Sequence, residues 1–104
     1  MAFERVVAAS DFWDGDMHGF VVRGRRVVLV RIGGQFFAYE DRCAHLGLPL
    51  SDGQLVNGVI VCRAHRYEYD ACTGRGLNPR SVCLRYYRVA QDGDWVSVDV
   101  TEAT

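Results

Sequence analysis

The sequence predicts an all-β chain of short strands and tight turns, and three observations carry that expectation. Apolar and polar residues alternate over short stretches, and no stretch sustains the 3.6-residue apolar period of an amphipathic helix. Eleven glycines and only two prolines accompany many valines and aromatics, a balance that favours strands joined by turns. Gly33-Gly34 lies between two alternating stretches, and a two-residue hairpin turn needs the positive φ that glycine supplies.

Taken in order, a first strand is expected near residues 3–7, followed by a turn or short 3₁₀ segment over residues 10–16. Strands are expected at 18–23, 26–32 and 35–40, separated by Gly24-Arg25 and Gly33-Gly34. From Asp41 to Gly53 the alternation stops, and Cys, His, Gly and Pro cluster as in a loop. Residues 59–62 read as a short buried strand that enters a second loop at 63–66. Alternation resumes over 66–70 and meets a turn at Ala71-Cys72-Thr73-Gly74. Gly76-Leu77-Asn78-Pro79 reads as a third loop, and strands at 84–90 and 95–100 form a closing hairpin about Gln91-Asp92-Gly93-Asp94.

A chain of 104 residues suits one domain, 1–104, without internal repeat or linker. No stretch approaches the roughly 18 apolar residues of a membrane span. Met1-Ala2-Phe3-Glu4-Arg5 lacks the layout of a signal peptide, so a cytoplasmic location is expected. A net charge of −1 argues against a nucleic-acid partner. All twelve basic residues are arginine, which base composition explains without a functional reading. Four cysteines in a chain without an export signal point to metal or redox chemistry more than to a disulfide framework.

Two loops each present one Cys and one His: Cys43-Ala44-His45-Leu46-Gly47 and, after sixteen intervening residues, Cys62-Arg63-Ala64-His65. Each pair lies near a strand end, where a short loop projects two side chains in one direction. Thiolates suit zinc, copper(I) and iron–sulfur centres, and imidazole suits zinc, copper and iron. A zinc finger usually keeps both Cys on one arm and both His on a helix, whereas here each arm carries one of each and no helix follows. Iron–sulfur, a zinc-stabilised binding module and chance adjacency remain as readings of spacing alone.

Cys-x-His followed by Cys-x-x-His resembles the Rieske signature, in which two Cys hold one iron of a [2Fe–2S] cluster and two His the other. Leu46-Gly47 after the first His, and Gly76-Leu77-Asn78-Pro79 as a proline loop over the cluster, extend the resemblance. It implies an antiparallel β sandwich of the Rieske type, with a cluster-binding subdomain of about residues 41–85 inserted into a basal set of strands. It further implies that Cys43 and Cys62 bind a buried ferric iron, and that His45 and His65 bind the outer iron that is reduced. Two thiolates with two neutral imidazoles leave the oxidised cluster uncharged, so an added electron costs less than in an all-Cys cluster.

High-potential Rieske proteins carry two more Cys that bridge these loops. Leu48 and Ala64 stand at the matching positions here, which excludes that link. The chain is similar to soluble ferredoxins of bacterial oxygenases, most of all to those of toluene or alkene multicomponent monooxygenases, whose hydroxylases contain di-iron. The alternative is the ferredoxin of a ring-hydroxylating dioxygenase. Either implies a monomeric one-electron carrier, not itself an enzyme, meeting a flavin-dependent NAD(P)H reductase and a terminal oxygenase transiently.

Arg42, Arg63 and Arg66 flank the ligands and are expected to raise the potential, to meet an acidic partner, or to form a solvated rim. A weak docking face is expected around Leu46, Gly47, Tyr67 and Pro79. The resemblance places a tyrosine hydroxyl against a cluster sulfur at Tyr69; a core tyrosine is the alternative. Cys72 and Cys83 match no ligand position and are expected as core or loop thiols. His18 is expected as a surface or packing residue, and Trp13, Trp95, Phe36, Phe37 and Tyr86 as core or half-buried.

Overall fold

The computed structural model describes residues 3–44, 47–63 and 66–101. Among the described residues ten antiparallel strands form two sheets. The larger sheet contains β1 (Phe3–Ala8), β2 (Met17–Val22), β3 (Arg25–Ile32), β4 (Gln35–Glu40), β9 (Tyr86–Asp92) and β10 (Trp95–Asp99), in the spatial order β1-β10-β9-β4-β3-β2. The smaller is a meander of β5 (Gln54–Val56), β6 (Val59–Val61), β7 (Glu68–Asp70) and β8 (Gly76–Asn78). Among the described residues no helix is long and apolar enough to cross a membrane.

Strand β3 explains the architecture. Its run Val27-Val28-Leu29-Val30 is fully buried, so both faces of the strand are covered. Alternation sends Val27 and Leu29 into a basal core with Phe12, Ala38, Val96 and Val98. It sends Val28 and Val30 into a second core with Tyr39, Leu50, Ile60 and Tyr69. Both ends of the large sheet supply the basal core, so that sheet folds over on itself. The small sheet covers the opposite face of β3 and β4. Each fully buried Val or Leu contributes about 1.5–3 kcal/mol of transfer free energy.

Several sequence expectations shift, and the reasons are local. The β2–β3 turn is Arg23-Gly24, one residue earlier than expected, with φ of 49° and 77°. Two consecutive left-handed residues match the twist of a two-residue hairpin, which moves the glycine to the second turn position. The β9–β10 turn is reduced to Gly93-Asp94, because the register pairs Trp95 with Asp92. Strands β9 and β7 begin later than expected, at Tyr86 and Glu68. Gly76-Leu77-Asn78 is not a loop but strand β8, paired with β7 across an irregular step between Glu68 and Tyr69. Strand β5 was not expected at all; three residues carry too little alternation to register.

Trp13, Trp95 and Tyr86 are corrections of another kind. Trp13 is 77% exposed, and Trp95 and Tyr86 are also exposed. Trp13 follows the 3₁₀ turn at Ala9–Asp11 in a loop whose backbone is held by Asp16 and Arg31, and the indole points outward. Phe36 and Phe37 are half-buried as expected. His18 is exposed, with its ring edge on Phe12 at 5.0 Å between centroids.

Candidate metal centre

Two cysteine loops leave the two sheets with the same backbone scaffold. The first follows β4. Asp41 at its start is buried, and its carboxylate accepts hydrogen bonds from the Ser51 backbone N–H at 2.8 Å and the Ser51 hydroxyl at 2.6 Å. The Asp41 N–H donates to the Arg26 carbonyl, so the loop is tied both to β3 and to the 3₁₀ turn at Leu50–Asp52. The Cys43 N–H then donates to the Leu48 carbonyl at 2.8 Å. In the second loop the Cys62 N–H donates to the Tyr67 carbonyl at 2.7 Å. Each bond spans five residues, and each loop holds its fourth residue after the cysteine in the left-handed region: Gly47 at φ 71° and Arg66 at φ 54°.

The left-handed position separates the loops. Glycine adopts it without steric cost, whereas a residue with a Cβ gives up about 1–2 kcal/mol there. Gly47 also lies under Arg42, whose Nε stands 3.1 Å from where a Cβ would be placed. Among the described residues the other non-glycine positions with positive φ, Arg23 and Asn57, open the two-residue turns Arg23-Gly24 and Asn57-Gly58, where hairpin geometry demands it.

Both cysteines are buried, each 1% exposed, and belong to the second core. Tyr69 joins them to β7. Its hydroxyl oxygen accepts from the Ala44 backbone N–H at 3.1 Å and lies 3.4 Å from Cys43 Sγ. With a thiol the sulfur contact can run either way, but toward a thiolate only the phenol can donate. Burial first, and the Cys43 contact second, push the Tyr69 pKa well above its ordinary value, which keeps the phenolic proton on the oxygen. Sequence reasoning left Tyr69 between packing and donation; it is fully buried and placed for both.

Two buried cysteines from matched loops, one with a hydroxyl 3.4 Å from its sulfur, are the environment a thiolate-bound metal needs. A sulfur carrying negative charge accepts the hydroxyl proton better than a thiol does. His45, Leu46, Ala64 and His65 lie outside the described residues. Of the expected docking face, Tyr67 is half-buried against the second core, and Pro79 is half-buried after a cis Asn78–Pro79 bond. Arg42, Arg63 and Arg66 are exposed. Cys72 and Cys83 are free thiols, and both are exposed, so the core alternative does not hold for them.

Residues 2–88 match the family model of the Rieske [2Fe-2S] domain. The chain belongs to the Rieske [2Fe–2S] family. It is 37% identical over 94 residues to the ferredoxin component of the alkene monooxygenase system of Xanthobacter autotrophicus (strain ATCC BAA-1158 / Py2), covering 89% of this chain and 77% of that one. It is 32% identical over 96 residues to the ferredoxin component of the naphthalene 1,2-dioxygenase system of Pseudomonas putida, covering 91% and 92%. The ferredoxin in a solved complex of reduced oxygenase and oxidized ferredoxin in carbazole 1,9a-dioxygenase superposes with a TM-score of 0.85 at 34% identity, over 92% of this chain and 91% of that one. The chain is a Rieske ferredoxin with one [2Fe–2S] cluster, an electron-transfer component of the oxygenase-system kind. That resolves the choice between iron–sulfur and zinc left open by spacing.

Proposed function

We propose that this Rieske ferredoxin takes one electron from an NAD(P)H-dependent flavin reductase and delivers it to the di-iron hydroxylase of a multicomponent alkene or aromatic monooxygenase. In this reading Cys43, His45, Cys62 and His65 hold the cluster, which supplies the one-electron couple. The matched loops that bury Cys43 and Cys62 beside the Tyr69 hydroxyl carry the reading. Their amides anchor the loop backbones, Tyr69 supports the charge that gathers on sulfur, and burial keeps water from the thiolate side.

The likeness to the alkene monooxygenase ferredoxin at 37% identity supports the hydroxylase as acceptor. A ring-hydroxylating dioxygenase is the second reading, supported by the relatives of that kind and by the superposition on a ferredoxin that has been solved with its oxygenase. The chain is one domain over residues 1–104, and its cluster-binding subdomain is the insert of about residues 41–85 between β4 and β9. It works as a monomer in the cytoplasm and meets each partner briefly.

Two measurements test this. Purified protein is expected to contain two iron and two acid-labile sulfides per chain and, after dithionite, to give an EPR signal with average g below 2. Zinc without labile sulfide would sink the ligand assignment. The dithionite-reduced protein, mixed with its terminal oxygenase, is expected to reoxidise in a stopped-flow trace. The spectrum of that oxygenase, di-iron alone or with a second Rieske centre, separates the two acceptors.

A further inference from the structure

The two cysteine loops share one scaffold and differ at one telling position. Where the first has Gly47, the second has Arg66, in the left-handed region at φ 54°. Glycine serves that backbone better, so the arginine is held there against the local conformational preference. Among the described residues its guanidinium forms no ion pair that would compensate. Arg66 is exposed, and among the described residues the ion pairs given are His18–Asp16 and Arg23–Glu4, neither of which involves it. Asp52 and Glu68 line the same cleft beside Cys62 as Arg63 and Arg66, yet neither is paired with Arg66.

The surroundings share its sign. Residues 41–85 hold six arginines, all exposed, against four carboxylates. Two of those carboxylates are occupied internally, Asp41 by Ser51 and Asp70 by the Cys72 N–H. The rest of the chain reverses the balance, with six arginines against nine carboxylates. The insert is thus basic where the rest of the chain is acidic, and such an asymmetry orients a molecule toward negative potential.

From this we propose that Arg66 is a docking and specificity residue that pairs with a carboxylate on the terminal oxygenase. The inference rests on the carrier reading above. The φ of Arg66 costs the same whether or not its guanidinium is paired, so what the exposed side chain gains in the complex is the charge contact itself. Its guanidinium stands beside the Cys62 loop, so the pair forms only when the cluster end faces the acceptor. It therefore selects orientation and on-rate in preference to potential.

The test uses cluster-loaded wild type, Arg66→Gly, Arg66→Lys and Arg66→Glu, with the terminal oxygenase as acceptor. Arg66→Gly is expected to keep full iron and labile sulfide, an unchanged midpoint potential, and thermal stability equal to or above wild type. Its second-order rate of oxygenase reduction at low ionic strength is expected to fall by about five-fold or more, and the deficit to close as salt rises. Arg66→Glu is expected to fall further, and Arg66→Lys to recover most of the rate. Wild-type rates for Arg66→Gly at low salt overturn the inference, as does a deficit that salt leaves untouched. A loss confined to the reductase step, or one explained by a lowered midpoint or lost iron, overturns it equally. A wild-type chain that never reduces the oxygenase overturns the carrier reading and this inference with it.

Discussion

The two cores on either face of β3 and β4 are made of different materials. The basal core holds Val22, Val27, Leu29, Val96 and Val98 inside strands of five to eight residues, with Phe12 and Val100 beside them. The cluster-side core is walled by four strands of three residues each and filled with Tyr39, Tyr69, Cys43 and Cys62 beside Leu50 and Ile60. Three residues per strand offer few ladder bonds, well under the usual five or six residues. Tyrosine hydroxyls must also find partners there: Tyr39 donates to the Ala71 carbonyl at 2.7 Å, and Tyr69 meets Ala44 and Cys43. One face stabilises itself by apolar burial, whereas the other is a polar, satisfied frame whose last component is the cluster.

The largest expected effect breaks that comparison outright. Cys62→Ala is expected to abolish cluster assembly and leave amides of β5 to β8 exchanging freely, while β3 and β10 stay protected in hydrogen exchange. Retained protection in the small sheet would mean that it stands without the cluster, and the two cores would be alike after all.

Next in size is a cavity on each side. Leu29→Ala in the basal core is expected to destabilise the chain by about 2–5 kcal/mol, read by denaturant unfolding of the holoprotein. Below its transition the visible absorbance should match wild type. Ile60→Ala, equally buried on the cluster side, should instead bleach before the basal strands unfold. Coincident loss of colour and of far-UV signal in both variants would merge the two cores into one cooperative unit.

The smallest effect sharpens the account of the polar frame. Tyr69→Phe keeps the ring in the core and removes the hydroxyl 3.4 Å from Cys43 Sγ. A donor to sulfur favours the more negative, reduced state, so removing it lowers the midpoint. With a difference of about 1 kcal/mol between redox states, the fall is roughly 40 mV, measured by titration with cluster content unchanged. A shift under about 10 mV would leave Tyr69 as packing alone.

Much of this was legible before any fold was known. Val27-Val28-Leu29-Val30 announces a buried strand, Gly33-Gly34 its hairpin, and Cys-x-His with Cys-x-x-His the family, because each signal is contiguous in the chain. Other features needed partners from elsewhere. Strand β8 exists because Glu68 and Tyr69 lie beside Asn78 and Gly76, and nothing within Gly76-Leu77-Asn78 says so. The outward Trp13 was read inward, since its exposure follows from how Asp16 and Arg31 hold the loop, and local hydrophobicity pointed the other way.

The sequence alone determined the strand periodicity, the order of the loops and the residue types available for iron, since these depend on neighbours along the chain. The tertiary structure decided that Cys43 and Cys62 share one scaffold, and that Gly47 and Arg66 occupy its same left-handed position. It also decided that a hydroxyl 26 residues away lies 3.4 Å from Cys43 Sγ. Those relations rest on backbone dihedrals and on contacts between distant segments, which appear only once β3 and β4 have brought the two sheets together.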